Sequence, residues 1–245
     1  MAVVRVICLT DPADAASWAA EPARRRLEVE FGDEVRITYV MAGLAREFAD
    51  PTAHARAILD AAASSGMPAD ARLWLGGAGG RAPSSSYPAC LAVKAAAEQG
   101  LDGPVLRRLR EGFLVDRRAQ DTTDALLAAV RGLPGLDLHR FAVDLRSNAI
   151  VEAFGADLDT ARSVGADMPA FVRDGEVVQA AALGAPRQPP LAVEEALRRW
   201  PRLAAPEVAA VCDLPGPRAP AELWRLALEW RARPTDVLTG VLWSV

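Results

Sequence analysis

The sequence predicts an α/β protein, in which a mixed sheet carries an all-helical insertion and a helical C-terminal appendage. Three observations lead to this class. A strand–helix–strand unit opens the chain, a long series of helical patterns follows it, and a hairpin signal comes only after residue 170. Strands that flank a block of helices in this way are typical of a sheet interrupted by a helical insertion.

The opening unit starts with VVRVIC at residues 3–8, a short β-branched run that predicts a buried strand. Residues 18–31 predict a helix, with charged residues such as Arg24 and Arg25 pointing to solvent. The apolar residues that can share its other face are Trp18, Ala19, Leu27 and Phe31. Residues 35–42 alternate like a second strand, which a right-handed crossover would place parallel to the first.

The insertion is predicted from helical patterns and from the loop signals between them. Candidate helices cover roughly 52–65, 88–99, 104–117, 121–133 and 137–145. The Gly-, Ser- and Pro-rich segment 72–88 predicts a long loop after the first of them. A further helix over 147–163 leads to FVR-Asp174-Gly175-EVV, a strong hairpin signal because a type I′ turn needs positive φ at both central residues.

The last part of the chain begins with the linker APRQPP and continues with two or three helices and a short apolar end. Two helices and one strand would also fit a winged helix, the architecture of many DNA-binding modules. Residues 202–245, however, carry five arginines and five acidic residues, so they offer phosphates no excess of positive charge. We therefore expect an appendage that packs on the rest of the protein.

These patterns divide the chain into three parts. Residues 1–42 and 147–185 form the sheet domain, residues 43–146 the helical insertion and residues 186–245 the appendage. The composition is 51% hydrophobic with a net charge of −4, which supports a true core and argues against a nucleic-acid partner. Because Arg5 interrupts the only apolar stretch near the start, and no apolar run reaches ~20 residues, we expect a cytoplasmic protein without a membrane segment.

Three segments in the right order resemble one family. TDPADAASWAAEPARRRLEVEFGDEVRITYVMAGL at residues 10–44, SSSYPACLAVKAAAEQG at 84–100 and GADMPAFVRDGEVV at 165–178 are similar to segments of DsbA-like proteins of the FrnE type, a branch of the thioredoxin superfamily. The resemblance covers about residues 1–185 and implies a thioredoxin-like sheet domain. Other relatives with this layout are hydroxychromene-carboxylate isomerases, kappa-class glutathione transferases and DsbA-like ClpXP adaptors, and fold alone does not choose among them.

The resemblance places the family's two redox cysteines at Asp14 and Ser17. A thiol at a helix N-terminus has a lowered pKa, and a second thiol one turn later resolves the mixed disulfide. Aspartate and serine cannot form or resolve a sulfur–sulfur bond. Asp14 and Ser17, the candidate catalytic positions, are therefore expected to cap a helix in a site without redox chemistry. The alternative is a retained groove with a changed task, in which Asp14 acts as an acid/base or as a charge gate.

The resemblance also implies a substrate groove. Its candidate residues are Trp18, Ser86, Met168 and Pro169. In this fold a cis-proline, here Pro169, presents backbone to an extended peptide or to glutathione. Trp18 could belong to the core instead, and Ser86 could cap the following helix.

Two classes of function remain open. The first is a redox-inactive binding or adaptor protein that uses the old groove for a protein or peptide partner. The second is an enzyme: a thiol–disulfide oxidoreductase through another cysteine, with Cys90 the foremost candidate over Cys8 and Cys212, or a glutathione-dependent isomerase or transferase of the hydroxychromene-carboxylate or kappa type. Apart from glutathione in that case, no cofactor is expected. His54 and His139 are isolated and lack metal-ligand spacing.

Overall fold

The structure, a computed structural model, describes residues 3–76, 81–179 and 187–245. Its larger sheet has the strand order β2-β1-β3-β4. The strands are β1 (Val4–Thr10), β2 (Val35–Met41), β3 (Ala170–Arg173) and β4 (Glu176–Val178). β2 runs parallel to β1, whereas β3 is antiparallel to both β1 and β4. The predicted mixed sheet is therefore confirmed, with β2 at one edge.

Two helices, not the single predicted one, connect β1 to β2. They are α1 (Ala15–Ala19) and α2 (Glu21–Phe31), with a break at Ala20. The break has a local cause, because Pro22 lacks an N–H group and is favoured in the first turn of a helix rather than inside one.

The insertion is helical, as predicted. Its helices, followed by the one that returns to the sheet, are α3 (Pro51–Ser65), α4 (Tyr87–Ala97), α5 (Asp102–Leu114), α6 (Thr123–Val130), α7 (Leu138–Asp144) and α8 (Asn148–Val164). Helix α6 ends before the predicted residue 133, because Arg131 already leaves the helical conformation (φ −58°, ψ 129°) and Gly132 continues the turn with φ of 77°. The predicted loop contains a 3-10 turn at Ala71–Leu75, and its glycines at 77–80 lie outside the described residues.

Both faces of the larger sheet are covered. The main core lies on one face and is built largely from the small buried residues of α4 and the apolar face of α5. On the opposite face, Leu9 and Val172 pack against Ala161 and Val164 of α8. The hairpin between β3 and β4 has φ of 52° at Asp174 and 84° at Gly175, which is the geometry the sequence predicts.

The C-terminal unit, residues 187–245, differs from the predicted helical appendage because it contains a second sheet. Its elements are α9 (Val193–Arg199), β5 (Leu203–Ala204), α10 (Ala205–Val211), α11 (Arg218–Leu228), β6 (Arg233–Val237) and β7 (Gly240–Ser244). The three strands form an antiparallel sheet in the order β5-β7-β6. This succession is that of a winged helix. The pattern missed the sheet because β5 has only two residues and β6 is mostly exposed.

The C-terminal unit packs closely on the rest of the chain. Val29 of α2 joins the apolar cluster of this unit, beside residues such as Val208 and Leu223. The turn between β6 and β7 is also docked: Ala69 N–H donates to Thr239 Oγ1 at 2.8 Å, and Thr239 N–H donates to the Ala69 carbonyl at 3.2 Å. Part of the linker, residues 185 and 186, lies outside the described residues.

Candidate functional site

The N-terminus of α1 occupies the place where the family resemblance puts a dithiol. Asp14 is buried and caps this helix: its carboxylate accepts the Ser17 N–H at 2.7 Å and the Ala16 N–H at 3.4 Å. A side-chain cap of this kind satisfies N–H groups that have no partner within the helix. Asp14 is thus in the capping role that the sequence predicts.

Ser17 and Trp18 face the interior. The Ser17 hydroxyl is buried and has no hydrogen-bond partner among the described residues. Trp18 is 1% exposed, and its Nε1–H donates to the Pro68 carbonyl at 2.9 Å. Arg107 stacks over the Trp18 ring, with the guanidinium carbon 4.4 Å from the ring centroid. Trp18 is therefore a core side chain and offers no surface to a substrate, contrary to its place among the groove candidates.

Ser86 is also buried, and it takes part in a cluster around Asp11. Asp11 Oδ2 accepts the Ser86 hydroxyl at 2.8 Å, the Cys90 thiol at 3.2 Å and the Leu44 N–H at 2.7 Å. Oδ1 accepts the Ala13 N–H at 2.8 Å. These bonds join the end of β1 to the start of α4, so Ser86 has a structural position and does not line a groove. Its hydroxyl does not cap α4 either; the first N–H of that helix, that of Tyr87, donates instead to the Ser85 hydroxyl at 3.1 Å.

None of the three cysteines is poised for thiol chemistry. All are buried, and none forms a disulfide. Burial raises the pKa of Cys8 to about 11 and that of Cys212 to about 11. Burial, followed by the adjacent Asp11 carboxylate, raises the pKa of Cys90 well above its usual value. Because the thiolate is the nucleophile, all three stay protonated and unreactive near neutral pH.

Met168 and Pro169 are half-buried and retain some accessible surface. The peptide bond between them is cis. Since Ala170 pairs with Leu9 in the antiparallel β1–β3 ladder, Pro169 lies at the same end of β1 as Asp14. Of the four groove candidates, these two are the ones that a partner could reach.

No pattern in the sequence indicates that His54 lies beside this end of the sheet. Its Nε2 is 3.1 Å from the Ala13 carbonyl oxygen, and its ring lies 4.1 Å from that of Trp74 and 4.9 Å from that of Phe48. Burial lowers the pKa of His54, which favours the neutral imidazole. The aromatic stacking and the single carbonyl contact mark it as a packing residue beside α1.

No metal or membrane feature accompanies the site. Within the three described ranges, no cluster of three or more His, Cys, Asp or Glu side chains is arranged to hold a metal ion. Nor does any helix there have the length and apolar character needed to cross a bilayer.

A second polar assembly lies behind α1 and includes charged residues of α2 that the sequence predicts to face solvent. We call it the buried charge cluster, and its members are Glu21, Arg24, Arg25, Arg107, Arg110, Glu111 and Glu207. The prediction that Arg24 and Arg25 point to solvent is therefore wrong. Arg24 donates from Nε and Nη2 to the two oxygens of Glu21, at 3.1 and 2.9 Å. Arg25 donates from Nε to Glu207 at 2.6 Å.

Glu21 and Glu207 are the two centres of the buried charge cluster. Arg110 also donates to Glu21, while Arg107 bridges the centres with bonds to Glu21 at 3.1 Å and to Glu207 at 2.8 and 3.0 Å. Burial alone would raise the pKa of both glutamates. The surrounding arginines outweigh it and hold the pKa of Glu207 below its usual value, and that of Glu21 well below. The cluster thereby ties α2, α5 and α10 together through ionised groups.

Comparisons with known proteins fit this architecture. The family model described as Thioredoxin matches residues 8–178. The ClpXP adapter protein SpxH of Halalkalibacterium halodurans is 28% identical over 278 residues, covering 98% of this chain and 88% of that protein. SpxH of Shouchella clausii is 26% identical over 275 residues, with the same two coverages.

Among solved structures, the cytosolic disulfide reductase DsbM from Pseudomonas aeruginosa is similar in fold. It superposes with a TM-score of 0.61 at 20% sequence identity, covering 71% of this chain and 88% of DsbM.

Proposed function

The chain belongs to the thioredoxin family and has the DsbA-like fold that its sequence predicts, and from this membership we propose that it is a redox-inactive adaptor protein. In this proposal it binds a protein partner and presents it to a ClpXP-type protease. The observation that carries the proposal is the state of the dithiol positions: Asp14 is a helix cap, and Ser17 is a buried hydroxyl. A cytoplasmic location is part of the proposal.

The extent of the similarities supports an adaptor over an oxidoreductase. The SpxH proteins align with 98% of the chain, an extent that includes the C-terminal unit. The DsbM structure covers 71% of it. A function that needs the whole chain is therefore better sought among the SpxH adapters than among reductases. The buried thiols argue in the same direction, because no cysteine in the chain can supply the missing nucleophile.

The exposed apolar residues of the C-terminal unit support a protein partner. Trp224, Leu228 and Trp230 are 50%, 82% and 95% exposed, on α11 or directly after it. Exposed apolar patches of this kind mark protein interaction sites. The charged residues beside them form pairs with one another, as Arg225 does with Glu222 and Glu229, which leaves contact with apolar surface as the main means of recognition.

An adaptor needs one surface for the protease and one for the delivered protein. We assign the accessible edge at Met168 and Pro169 to one of these contacts. In related folds this edge pairs with an extended peptide, and main-chain pairing of that kind tolerates many side chains. Such tolerance suits a protein that must hold its partner without reacting with it.

The test measures adaptor activity directly. The immobilised chain is used to capture partners, each captured protein is purified, and its ATP-dependent degradation by purified ClpXP is followed with and without the chain. An adaptor shortens the half-life of the partner several-fold, and this effect increases with the concentration of the adaptor. Absence of acceleration for every captured protein, together with no binding of the chain to ClpXP, would overturn the proposal.

A cysteine-free variant separates the two classes of function. Cys8→Ala, Cys90→Ser and Cys212→Ala together remove every thiol, and serine at position 90 can still donate to Asp11. An adaptor accelerates degradation equally well in this form, provided that circular dichroism shows an unchanged fold. An oxidoreductase working through any cysteine of the chain loses its activity completely.

A further inference from the structure

A cavity of about 640 Å³ opens where the sheet domain, the insertion and the C-terminal unit meet. We call it the junction cavity. It lies between α2, strand β2, the start of α5 and residues 199–202 of the C-terminal unit. Its volume falls within the range of about 300–1,000 Å³ that is usual for ligand sites. It is separate from the dithiol positions, since neither Asp14 nor Ser17 lines it.

The apolar part of the junction cavity lies along an edge strand. Val35 and Ile37 of β2 contribute half-buried side chains, and Leu133, Pro134 and Pro201 complete the apolar surface. Among the strands of the described residues, β2 pairs with β1 alone, so none of them covers its outer row of N–H and C=O groups. An open edge beside apolar pockets is the arrangement that binds extended peptides by strand addition.

The charged lining of the junction cavity is predominantly positive. Six arginines face four carboxylates there: Arg24, Arg25, Arg107, Arg108, Arg199 and Arg202, against Glu28, Asp33, Asp102 and Glu111. Four of these arginines are engaged with acidic residues, and Arg108 and Arg199 are the exceptions: neither forms an ion pair with any residue in the described ranges. These two guanidinium groups are available to an acidic ligand, with which they can make charge-assisted hydrogen bonds.

Trp200 provides an aromatic wall between the positive groups. The guanidinium carbons of Arg25 and Arg199 lie 4.8 and 4.9 Å from its ring centroid. Stacking fixes the orientation of an arginine without using its hydrogen-bond donors. The Nε–H of Arg25 donates to Glu207, whereas no guanidinium N–H group of Arg199 donates to a residue in the part of the chain that the structure describes.

We propose that the junction cavity binds an extended segment of a partner protein that carries apolar and acidic side chains in turn at every second residue, so that both kinds lie on the face turned to the cavity. The segment lies along β2, its apolar side chains contact Val35 and Ile37, and its carboxylates bind Arg108 and Arg199. This proposal rests on the adaptor function proposed above and names the kind of partner segment that the adaptor holds.

The test uses the fluorescein-labelled octapeptide Val-Thr-Glu-Thr-Val-Thr-Glu-Thr, which places valine and glutamate on the same face of a strand, and measures its affinity by fluorescence anisotropy. The Arg108→Glu/Arg199→Glu double variant should weaken binding at least tenfold. A peptide with lysine in place of each glutamate should bind at least tenfold more weakly to the unmodified chain. Equal affinity for the two peptides, or an unchanged affinity in the double variant, overturns the proposal.

A matched control reverses the charge at two exposed arginines outside the cavity. Arg146→Glu/Arg162→Glu changes the net charge equally, and it should leave peptide binding within about twofold of the unmodified chain. If the double variant at the cavity is poorly folded by circular dichroism, Arg199→Glu alone serves, because this side chain is exposed. If the control weakens binding as strongly as the cavity variant, the attraction is a general charge effect and the proposed site is refuted.

Two further measurements separate this proposal from others. In the first, pyrophosphate is titrated as a competitor of the peptide. If pyrophosphate binds more tightly than the peptide, and binds the Arg108→Glu/Arg199→Glu variant more weakly, the cavity binds a small anion and the peptide proposal is wrong. The degradation assay is repeated with the cavity variant. If that variant accelerates degradation as well as the unmodified chain does, the cavity proposal is overturned while the adaptor function stands. If the unmodified chain itself does not accelerate degradation, the adaptor function is wrong.

Discussion

Glu207→Ala should destabilise the protein strongly, because two buried arginines depend on this one carboxylate. Glu207 is 0% exposed and accepts Arg25 Nε–H at 2.6 Å, Arg107 Nη1–H at 2.8 Å and the Ala204 N–H at 2.8 Å. Alanine removes these acceptors and leaves the arginines inside the protein. Arg107 keeps Glu21 and Glu111 as partners, whereas Arg25 keeps its stacking on Trp200 and, as acidic partner within the described ranges, Glu21 at 4.0 Å.

The size of the effect follows from the cost of an uncompensated buried charge. Removing one partner of a buried ion pair costs about 3–5 kcal/mol. For a chain of this length, each kcal/mol shifts the melting temperature by roughly 2–4 °C, so we expect a decrease of roughly 6–20 °C. The change should also loosen the C-terminal unit, since Glu207 forms the ion pairs of that unit with Arg25 and Arg107.

Differential scanning calorimetry measures this shift, with Glu229→Ala as the matched control. Glu229 is also a glutamate of the C-terminal unit that pairs with two arginines, Arg225 and Arg231, but its pairs are exposed. The control should have the melting temperature of the unmodified chain, because exposed ion pairs contribute little to the free energy of unfolding. A Glu207→Ala variant that melts within about 2 °C of the control would refute the reasoning, since the cluster would then add nothing to stability.

The same carboxylate predicts the pH dependence of this difference. Burial acts to raise the pKa of Glu207, but Arg107 and Arg25 prevail and lower it below the ordinary glutamate value of 4.5. The folded state therefore binds this proton more weakly than the unfolded state does. The stabilisation is complete above the ordinary pKa and is lost as the pH falls through the folded one. The melting difference between the unmodified chain and Glu207→Ala should thus be constant near neutrality and shrink in acid.

Three further predictions concern the dithiol positions and the cysteines. Burial raises the pKa of Cys8 and Cys212 to about 11 and that of Cys90 well above its usual value. Ellman's reagent at about pH 8 should therefore label no thiol before denaturation and all three after it. Rapid labelling of the folded chain would contradict this burial. Asp14→Ala should lower the free energy of unfolding in urea by about 1 kcal/mol through loss of the cap, and an unchanged value would mean that the cap contributes nothing. Insulin reduction should be absent in the unmodified chain and gained in the Asp14→Cys/Ser17→Cys variant, whereas activity without the substitutions would disprove the non-redox assignment.

Local signals in the sequence were sufficient for much of the fold. The turn of the hairpin needs positive φ at Asp174 and Gly175, a conformation that these two residue types favour, so the hairpin could be predicted from this dipeptide. Asp14 likewise caps α1 through N–H groups only two and three residues away. Features that depend on a few neighbouring residues are accessible to pattern reasoning.

The buried charge cluster could not be found in this way, because its contacts are distant along the chain. Arg25 meets Glu207 across 182 residues, and Arg107 meets Glu21 across 86. On a helix, charged residues without a visible partner indicate a solvent-exposed face, and Arg24 and Arg25 were assigned to one for that reason. The junction cavity was missed for the same reason, since residues 199–202 approach α2 only after the C-terminal unit has docked.

The long span of the Arg25–Glu207 contact has a consequence for how the protein is made. A ribosome delivers α2 and α5 long before it delivers α10, so the nascent sheet domain carries Arg25 without its main counter-charge. Contacts between distant residues also slow folding, because the ordering cost comes before the contact forms. We therefore expect the α2–α5 region to remain incompletely packed, and open to chaperones, until Glu207 has left the exit tunnel and closes the cluster.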